Sequence, residues 1–180
     1  EEIPGNQAYF NAANAQSGAN KPVLMKSKSG IVVKGIADLS VRFSKCCNPV
    51  PGDEIVGFVT RGRGMSIHRT DCVNVLNLSA VERSRLITAE WEDTGDNEEG
   101  GQYLAELKLF AQDRRGLLLD ISKVFTEEKI DVKSMNTRTS KKGTATMDMG
   151  FIVRGREELN RVITKLRQIE NVIDIERTTG

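Results

Sequence analysis

The sequence predicts an α+β protein made of two small modules, a mixed β-sheet with one short helix followed by a βαββαβ unit. Three observations carry this prediction. Short β-like runs separated by turn residues fill the first half of the chain, an acidic, glycine-containing stretch interrupts them, and regular strand and helix periods follow. The predicted divisions are a linker at 1–29, a first module at 30–92, an acidic linker at 93–101 and a second module at 102–180.

The first 29 residues have the composition of a linker, rich in Asn, Ala, Gly and Ser and without sustained apolar periodicity. A chain that begins with a linker predicts a partner domain upstream. Neither a secretion signal nor a basic transit peptide is visible, and no apolar stretch reaches the ~18 residues that span a bilayer. The cysteines number three, an odd count that argues against a secreted disulfide framework. We therefore expect a cytoplasmic protein without a membrane partner.

The first module is predicted from four β-like runs, a short helix and a returning strand. The runs cover residues 31–35, 39–44, 53–60 and 65–68. A rigid turn is expected at Pro49-Val50-Pro51-Gly52, and a hairpin loop is expected at 61–64. Thr70 or Asp71 is expected to cap the short helix, and residues 85–91 to return as a strand.

The second module shows the element order βαββαβ. Its predicted core positions are Ala105, Leu107, Leu109 and Ala111 in the first strand, Leu117, Ile121, Val124 and Phe125 in the first helix, Ala145, Met147, Met149, Phe151 and Val153 in the third strand, and Leu159, Val162, Ile163, Leu166 and Ile169 in the second helix. The second strand is expected within 130–140, a turn at 141–143 and the last strand at 172–177. This order is the ferredoxin-like arrangement, with both helices on one face of an antiparallel sheet.

All three cysteines and the single histidine fall within residues 42–72. Cys46, Cys47, His68 and Cys72 make a Cys3His set, whose thiolates and imidazole are ligands that zinc prefers. The spacing of His68 and Cys72 suits two ligands at a helix start. Adjacent Cys46 and Cys47 suit a metal badly, because neighbouring residues of a strand point to opposite faces. Two alternatives stay open: cysteines that pack as small hydrophobes, and a vicinal disulfide or redox pair.

Charge is unevenly distributed, although the net charge is only +1. Basic side chains outnumber acidic ones nine to four in residues 20–72, whereas acidic ones outnumber basic ones eight to two in residues 73–106. A basic first module predicts contact with a polyanion, and an ordinary solvated surface is the alternative. The candidate phosphate contacts are Lys45, Arg61, Arg63 and Arg69. Arg61 and Arg63 lie on a glycine-rich loop and can fork onto phosphates.

The loop between the first strand and first helix of the second module is another candidate site. It comprises Asp113, Arg114, Arg115, Gly116 and Leu117. Free N–H groups at a helix start can hold a carboxylate, and Gly116 allows a ligand or a second chain to approach the backbone. The alternative is that Gly116 serves only the tight turn. No Ser, acid and His constellation can be assembled around His68, so we do not expect this chain itself to be an enzyme.

Two stretches together resemble one known family. The first is the run Lys45-Cys46-Cys47-Asn48-Pro49-Val50-Pro51-Gly52-Asp53, with Ile55, Gly57, Gly64, His68, Arg69, Asp71 and Cys72 after it. It closely resembles the zinc-finger-like or ribosome-intersubunit domain of long RelA/SpoT-type stringent-response proteins, which make and hydrolyse guanosine tetra- and pentaphosphate. The second, residues 113–118, looks like the opening of the ACT domain that ends such proteins. The resemblance covers about residues 30–180 and is specific as a pair.

The resemblance implies a regulatory C-terminal region without an active site, whose catalytic domains lie upstream of residue 1. It implies docking on stalled ribosomes, with the first module against ribosomal RNA and the ACT domain near the A site and its tRNA, and control of the upstream GTP pyrophosphokinase or hydrolase domains. Zinc is the cofactor that the family label implies. An amino-acid-sensing or oligomerising ACT module is the alternative function, with a branched-chain amino acid or a second copy of the chain as partner.

Overall fold

The computed structural model describes residues 25–26, 31–33, 40–62, 64–92 and 101–178. Most of the linker expected at 1–29 and of the acidic linker expected at 93–101 therefore lies outside the described residues. Within them the chain forms two separate sheets and four helices, which agrees with the predicted α+β class. No helix in this described part is long and apolar enough to cross a membrane.

The first sheet is mixed and has six strands in the order β1-β2-β6-β4-β5-β3. Its strands are β1 (Met25–Lys26), β2 (Ile31–Val33), β3 (Ser40–Phe43), β4 (Ile55–Val59), β5 (Gly64–Arg69) and β6 (Leu86–Trp91). Strands β3 and β5 run parallel, and the other pairs are antiparallel. Ile31, Met65 and Ile67 are fully buried at the centre of its apolar core. The alternation of apolar residues along β5 therefore marks the buried face of the sheet.

Two short helices lie between β5 and β6, where the sequence predicted one. They are α1 (Val73–Leu76) and α2 (Ala80–Arg83). The unpredicted α2 begins with a capping box between Ser79 and Glu82. The predicted cap of α1 is wrong: its N-cap is Cys72, and the Asp71 carboxylate instead accepts hydrogen bonds from Arg69. The Asp71 carboxylate therefore pairs with the Arg69 guanidinium and does not cap the helix.

The second sheet has the predicted ferredoxin-like topology. Its elements are β7 (Tyr103–Gln112), α3 (Leu117–Glu127), β8 (Val132–Thr139), β9 (Thr144–Val153), α4 (Arg156–Arg167) and β10 (Val172–Arg177). The strands are antiparallel in the order β10-β7-β9-β8, so the first and third strands of the module lie at the centre. Both helices contribute to the one apolar cluster that covers the sheet.

Helical and strand periods placed the core of this module correctly. All predicted core residues of β7, α3 and β9 are buried, as are Leu159, Val162 and Leu166 of α4. Ile163 and Ile169 are only partly buried at the margin. The same cluster contains Val50, a residue of the first module that the sequence did not assign to this core.

Candidate metal centre and basic surface

Four side chains of the first module converge on one point: Cys46, Cys47, His68 and Cys72. The parallel pairing of β3 with β5 extends into a hydrogen bond from the Ser44 N–H to the Ile67 carbonyl (2.9 Å), which places the following turn beside His68. A second turn, closed by the Cys72 N–H on the Arg69 carbonyl (3.1 Å), returns Cys72 to the same place. Two strands and two turns thus fix the cluster, although its members are up to 26 positions apart.

The spacing of the ligand atoms fits a tetrahedral metal site. The Cys46 Sγ lies 3.3 Å from the His68 Nδ1, 3.5 Å from the Cys72 Sγ and 3.9 Å from the Cys47 Sγ. The Cys47 Sγ lies 3.9 Å from the same Nδ1. Zinc bonds of ~2.3 Å to sulfur and ~2.0 Å to nitrogen give tetrahedral edges of about 3.5–3.8 Å. All four ligand atoms lie within 4.8 Å of one another, and the donor set and the four edges given above suit zinc.

The objection to two adjacent cysteine ligands does not hold in this structure. Cys46 and Cys47 lie in a turn, residues 45–47, and not in a strand. Asn48 follows with φ of 42°, a left-handed conformation that Asn tolerates better than most residues. The turn lets both sulfur atoms face His68. All three cysteines are unbonded thiols, with Cys47 and Cys72 buried and Cys46 half-buried, so the structure contains no vicinal disulfide.

Burial determines the charge of the cluster when no cation is bound. Burial raises the pKa of the Cys47 thiol to about 12 and also raises that of Cys72, while burial lowers the pKa of His68. Without a cation the buried thiols and imidazole are thus uncharged. The Arg69 N–H donates to the Cys47 Sγ at 3.3 Å, a contact that stabilises a thiolate. A divalent ion would supply the positive charge that three thiolates need in this buried place.

The candidate phosphate contacts do not share one environment. Lys45 and Arg61 are exposed, and Arg63 lies outside the described residues. Arg69 is only 6% exposed, and its guanidinium donates to Asp71 and to two backbone carbonyls. The sequence held a signal for this burial, because Arg69 follows Met65 and Ile67 at the period of a strand. Arg69 is therefore engaged inside the chain.

One basic residue at this surface escaped the sequence analysis. Arg85, which precedes β6, places its guanidinium carbon 4.7 Å from the centre of the Phe58 ring. Both side chains are half-buried. An arginine packed over an aromatic ring can present N–H donors to an anion. Hydrogen bonds with Ser79 lower the pKa of Glu82, and the positive charges of Arg85 and Arg61 lower it further. Both arginines therefore lie on the Glu82 side of the module.

Arg114 holds the loop that precedes α3 in place through its hydrogen bonds. The Arg114 Nη2 donates to the Asp120 carboxylate (2.6 Å), and the same guanidinium reaches the Glu170 carbonyl. Gly116 has φ of 80°, and Leu117 is buried. The Asp113 N–H donates to the Gly143 carbonyl (2.7 Å) in the turn between β8 and β9, and Arg115 is exposed. A Cβ built on Gly116 would meet only the Arg114 guanidinium, at 3.8 Å, so space is open above this glycine.

A polar cleft of about 440 Å³ between the two modules was not predicted from the sequence. Its charged lining residues are Asp53, Glu54, Arg69, Asp71, Arg156 and Arg177. Cations and carboxylates are present in equal number: Arg69 pairs with Asp71 within the first module, and Arg177 pairs with Asp53 across the cleft. No local pattern could reveal the second pair, because Asp53 and Arg177 are 124 positions apart.

Two family models match the two modules. Residues 31–92 match the RelA/SpoT RIS domain, and residues 99–177 match the ACT domain. The chain is a RIS–ACT segment of the RelA/SpoT family. The thiol cluster thus belongs to the RIS domain, and the loop at Gly116 belongs to the ACT domain.

Curated relatives agree with this assignment. The chain is 39% identical over 151 residues to a GTP pyrophosphokinase of Streptomyces coelicolor, covering 84% of this chain and 17% of the relative. It is 35% identical over 178 residues to that of Haemophilus influenzae (98% and 23%) and 38% identical over 156 residues to that of Escherichia coli K12 (86% and 20%). The solved ACT domain from the Chlorobium tepidum enzyme is 22% identical, with 43% of this chain and 99% of that chain covered and a TM-score of 0.39. The chain spans about a fifth of the length of these curated relatives.

Proposed function

We propose that this chain is the C-terminal regulatory region of a stringent-response GTP pyrophosphokinase that makes or hydrolyses (p)ppGpp in the cytoplasm. The observation that supports this most is the tandem of a RIS and an ACT domain in this chain, together with its similarity to relatives named GTP pyrophosphokinase. The only histidine of the chain lies among three thiols. Catalysis is therefore assigned to other domains of the whole protein, and control of those domains to this region.

We also propose that Cys46, Cys47, His68 and Cys72 hold a structural zinc ion. Four protein ligands would fill a tetrahedral shell and leave no position for a substrate, which is the pattern of structural sites. The ion would join the turn after β3 to the end of β5 and the start of α1. Its role is thus to fix the surface that the RIS domain presents.

That surface is proposed to contact ribosomal RNA, with the ACT domain near the A-site tRNA. Lys45 lies in the same turn as Cys46 and Cys47, and Arg61 lies at the tip of the β4–β5 hairpin. Both side chains are exposed. Arg85 on Phe58 adds a cation whose position is fixed by packing. Fixed guanidinium groups bind phosphates bidentately and lose little conformational freedom on binding. Arg69 is left out of this set because it is buried.

Ribosome binding by the 180-residue chain tests this proposal. Arg61→Ala combined with Arg63→Ala should weaken ribosome binding and reduce the slope of log K against log salt by roughly 1.5. Each phosphate that is no longer contacted keeps its counterion. The control, Lys123→Ala with Arg167→Ala, removes the same charge from helices α3 and α4 of the ACT domain. An unchanged affinity and salt slope in the first pair would remove the hairpin tip from the interface.

A second candidate function is amino-acid sensing by the ACT domain. The open space above Gly116, at the start of α3, favours a small ligand that approaches the backbone there. Titration calorimetry of the chain with valine, leucine and isoleucine tests this, with lysine as the control ligand. Saturable heat with a branched-chain amino acid and none with lysine supports sensing, and no heat with any of them rejects it. A second copy of the chain at this loop would instead give self-association in sedimentation experiments.

A further inference from the structure

The turn at residues 49–52 carries an apolar side chain of the RIS domain into the core of the ACT domain. Val50 has no exposed surface and belongs to the same buried cluster as Leu107 of β7, Phe151 of β9 and Leu166 of α4. Separation of the two domains would expose Val50 and leave a gap in that core. The turn is therefore part of the ACT core, although it belongs to the RIS domain in sequence.

Asp53 joins this turn to both domains. Its carboxylate, 5% exposed, accepts hydrogen bonds from the Val50 N–H (2.9 Å) and from both terminal nitrogens of Arg177 in β10 (2.7 and 2.9 Å). Its backbone carbonyl accepts a hydrogen bond from the Trp91 indole (3.0 Å). The Trp91 ring meets the edge of Tyr103, the first residue of β7, with 5.7 Å between ring centroids. Trp91 therefore lies where the domains meet.

The turn also completes helix α4 of the ACT domain. This helix begins at Arg156, and its N-cap residue, Gly155, has no side chain to bond the free N–H groups of the first turn. The Pro51 carbonyl accepts the Arg156 N–H at 2.7 Å, and the Arg156 guanidinium donates to the Gly52 carbonyl at 3.3 Å. The RIS domain thus supplies the N-terminal partner that α4 lacks.

The same turn is continuous with the thiol cluster. Cys47 precedes Pro49 by two residues, and its carbonyl accepts a hydrogen bond from the Arg69 Nη1 (3.4 Å). That nitrogen also donates to the carbonyl of Thr178 (3.3 Å), directly after β10. The Arg69 N–H in turn bonds to the Cys47 Sγ. Buried Arg69 therefore contacts a thiol of the cluster and the end of the ACT domain together.

We propose that residues 49–53, with Arg69, couple metal binding at the thiol cluster to docking of the ACT domain on the RIS domain. The metal half of this inference rests on the zinc ion proposed above, and the docking half rests on the contacts alone. An ion that fixes the turn at Cys47 favours the docked position of Val50 and Asp53. By thermodynamic linkage, docking strengthens metal binding by the same factor. The ACT domain thereby responds to the state of the cluster.

Zinc affinity of docking variants tests the coupling. Asp53→Asn and Arg177→Gln weaken the contact from opposite sides, and Asp148→Asn is the matched control because its partner, Lys108, lies within the ACT sheet. Zinc affinity of the 180-residue chain is measured by competition with a chromophoric chelator, after circular dichroism has shown that each variant is folded. The emission of Trp91, the single tryptophan, reports docking in the same samples.

The coupling predicts about tenfold weaker zinc binding in both docking variants, within the usual range of coupling between sites, and a change of less than twofold in Asp148→Asn. It also predicts that chelation of wild-type protein shifts Trp91 emission to longer wavelength, as the docking variants do. Unchanged zinc affinity in the docking variants would overturn the coupling and leave the metal centre intact. A wild-type chain that takes up no zinc would refute the metal centre, and the coupling with it.

Discussion

The Asp53 carboxylate and the Arg177 guanidinium form a two-point ion pair between the RIS and ACT domains, at 2.7 and 2.9 Å. Only 5% of the Asp53 side chain and 17% of the Arg177 side chain are exposed. A pair removed from water in this way stabilises only if its remaining hydrogen-bonding capacity is satisfied. The Val50 N–H and the Asn48 carbonyl meet that need here.

Removal of one partner of this pair should destabilise the chain strongly. Asp53→Ala is expected to lower the free energy of unfolding by about 3 kcal/mol, because it leaves Arg177 largely buried without its counter-ion and the Val50 N–H without its acceptor. Urea denaturation followed by Trp91 emission measures this. Asp148→Ala, at an exposed pair, should cost less than about 1 kcal/mol. Equal losses in the two variants would contradict a special role for Asp53.

Two glycines provide a matched test of how closely the domains approach. Gly52 has φ of 97°, and a Cβ added there would lie 2.9 Å from the Cβ of Arg156. Gly52→Ala is therefore expected to cost about 1–3 kcal/mol through backbone strain and collision with α4. A Cβ added at Gly62 would meet nothing within 4 Å, so Gly62→Ala should change stability by less than about 0.5 kcal/mol. Similar stability of the two variants in thermal denaturation would argue against the close contact.

Truncation of Val50 tests whether the RIS turn is part of the ACT core. Val50→Ala is expected to cost about 2 kcal/mol, because the side chain is fully buried and the cavity left behind is closed by two domains. Val81→Ala is the control, since Val81 is 80% exposed and should matter little. Denaturation curves of both variants give the comparison. A cost below about 0.5 kcal/mol for Val50→Ala would show that the ACT core closes without it.

Metal binding should release protons and strengthen as pH rises. The buried Cys47 and Cys72 thiols have raised pKa values and carry protons at neutral pH, so zinc must displace both. The apparent zinc affinity is therefore expected to rise about 100-fold per pH unit between pH 6 and 8 from these two ligands. Calorimetry in buffers of different ionisation enthalpy counts the protons released. A pH-independent affinity would exclude these thiols as ligands.

The core of the ACT domain could be predicted from the sequence because each strand and each helix shows its own hydrophobic period. The alternation of Leu107 and Leu109 and the helical spacing of Leu117 and Ile121 each identify a buried face from neighbouring residues alone. The last strand was predicted at 172–177 and is observed as Val172–Arg177.

The features that the sequence concealed depend on residues far apart in the chain. A stretch in which Pro and Gly surround Val50 resembles any surface turn, and nothing local shows that another domain covers it. The left-handed Asn48 that turns both cysteines inward is likewise selected by the packed state, since Asn accepts several conformations. Cys46, Cys47, His68 and Cys72 were found by residue type, whereas their geometry required the fold.

Cobalt substitution tests the central claim, that these four side chains form one tetrahedral metal site, most directly. The reduced 180-residue chain is titrated with Co²⁺ under anaerobic conditions, and its absorption spectrum is followed. One Co²⁺ per chain is predicted, with intense visible bands of a tetrahedral ion, thiolate-to-metal charge transfer in the near ultraviolet, and loss of both on addition of one equivalent of Zn²⁺. A spectrum that keeps the weak bands of octahedral aqueous Co²⁺ throughout the titration would contradict the metal centre.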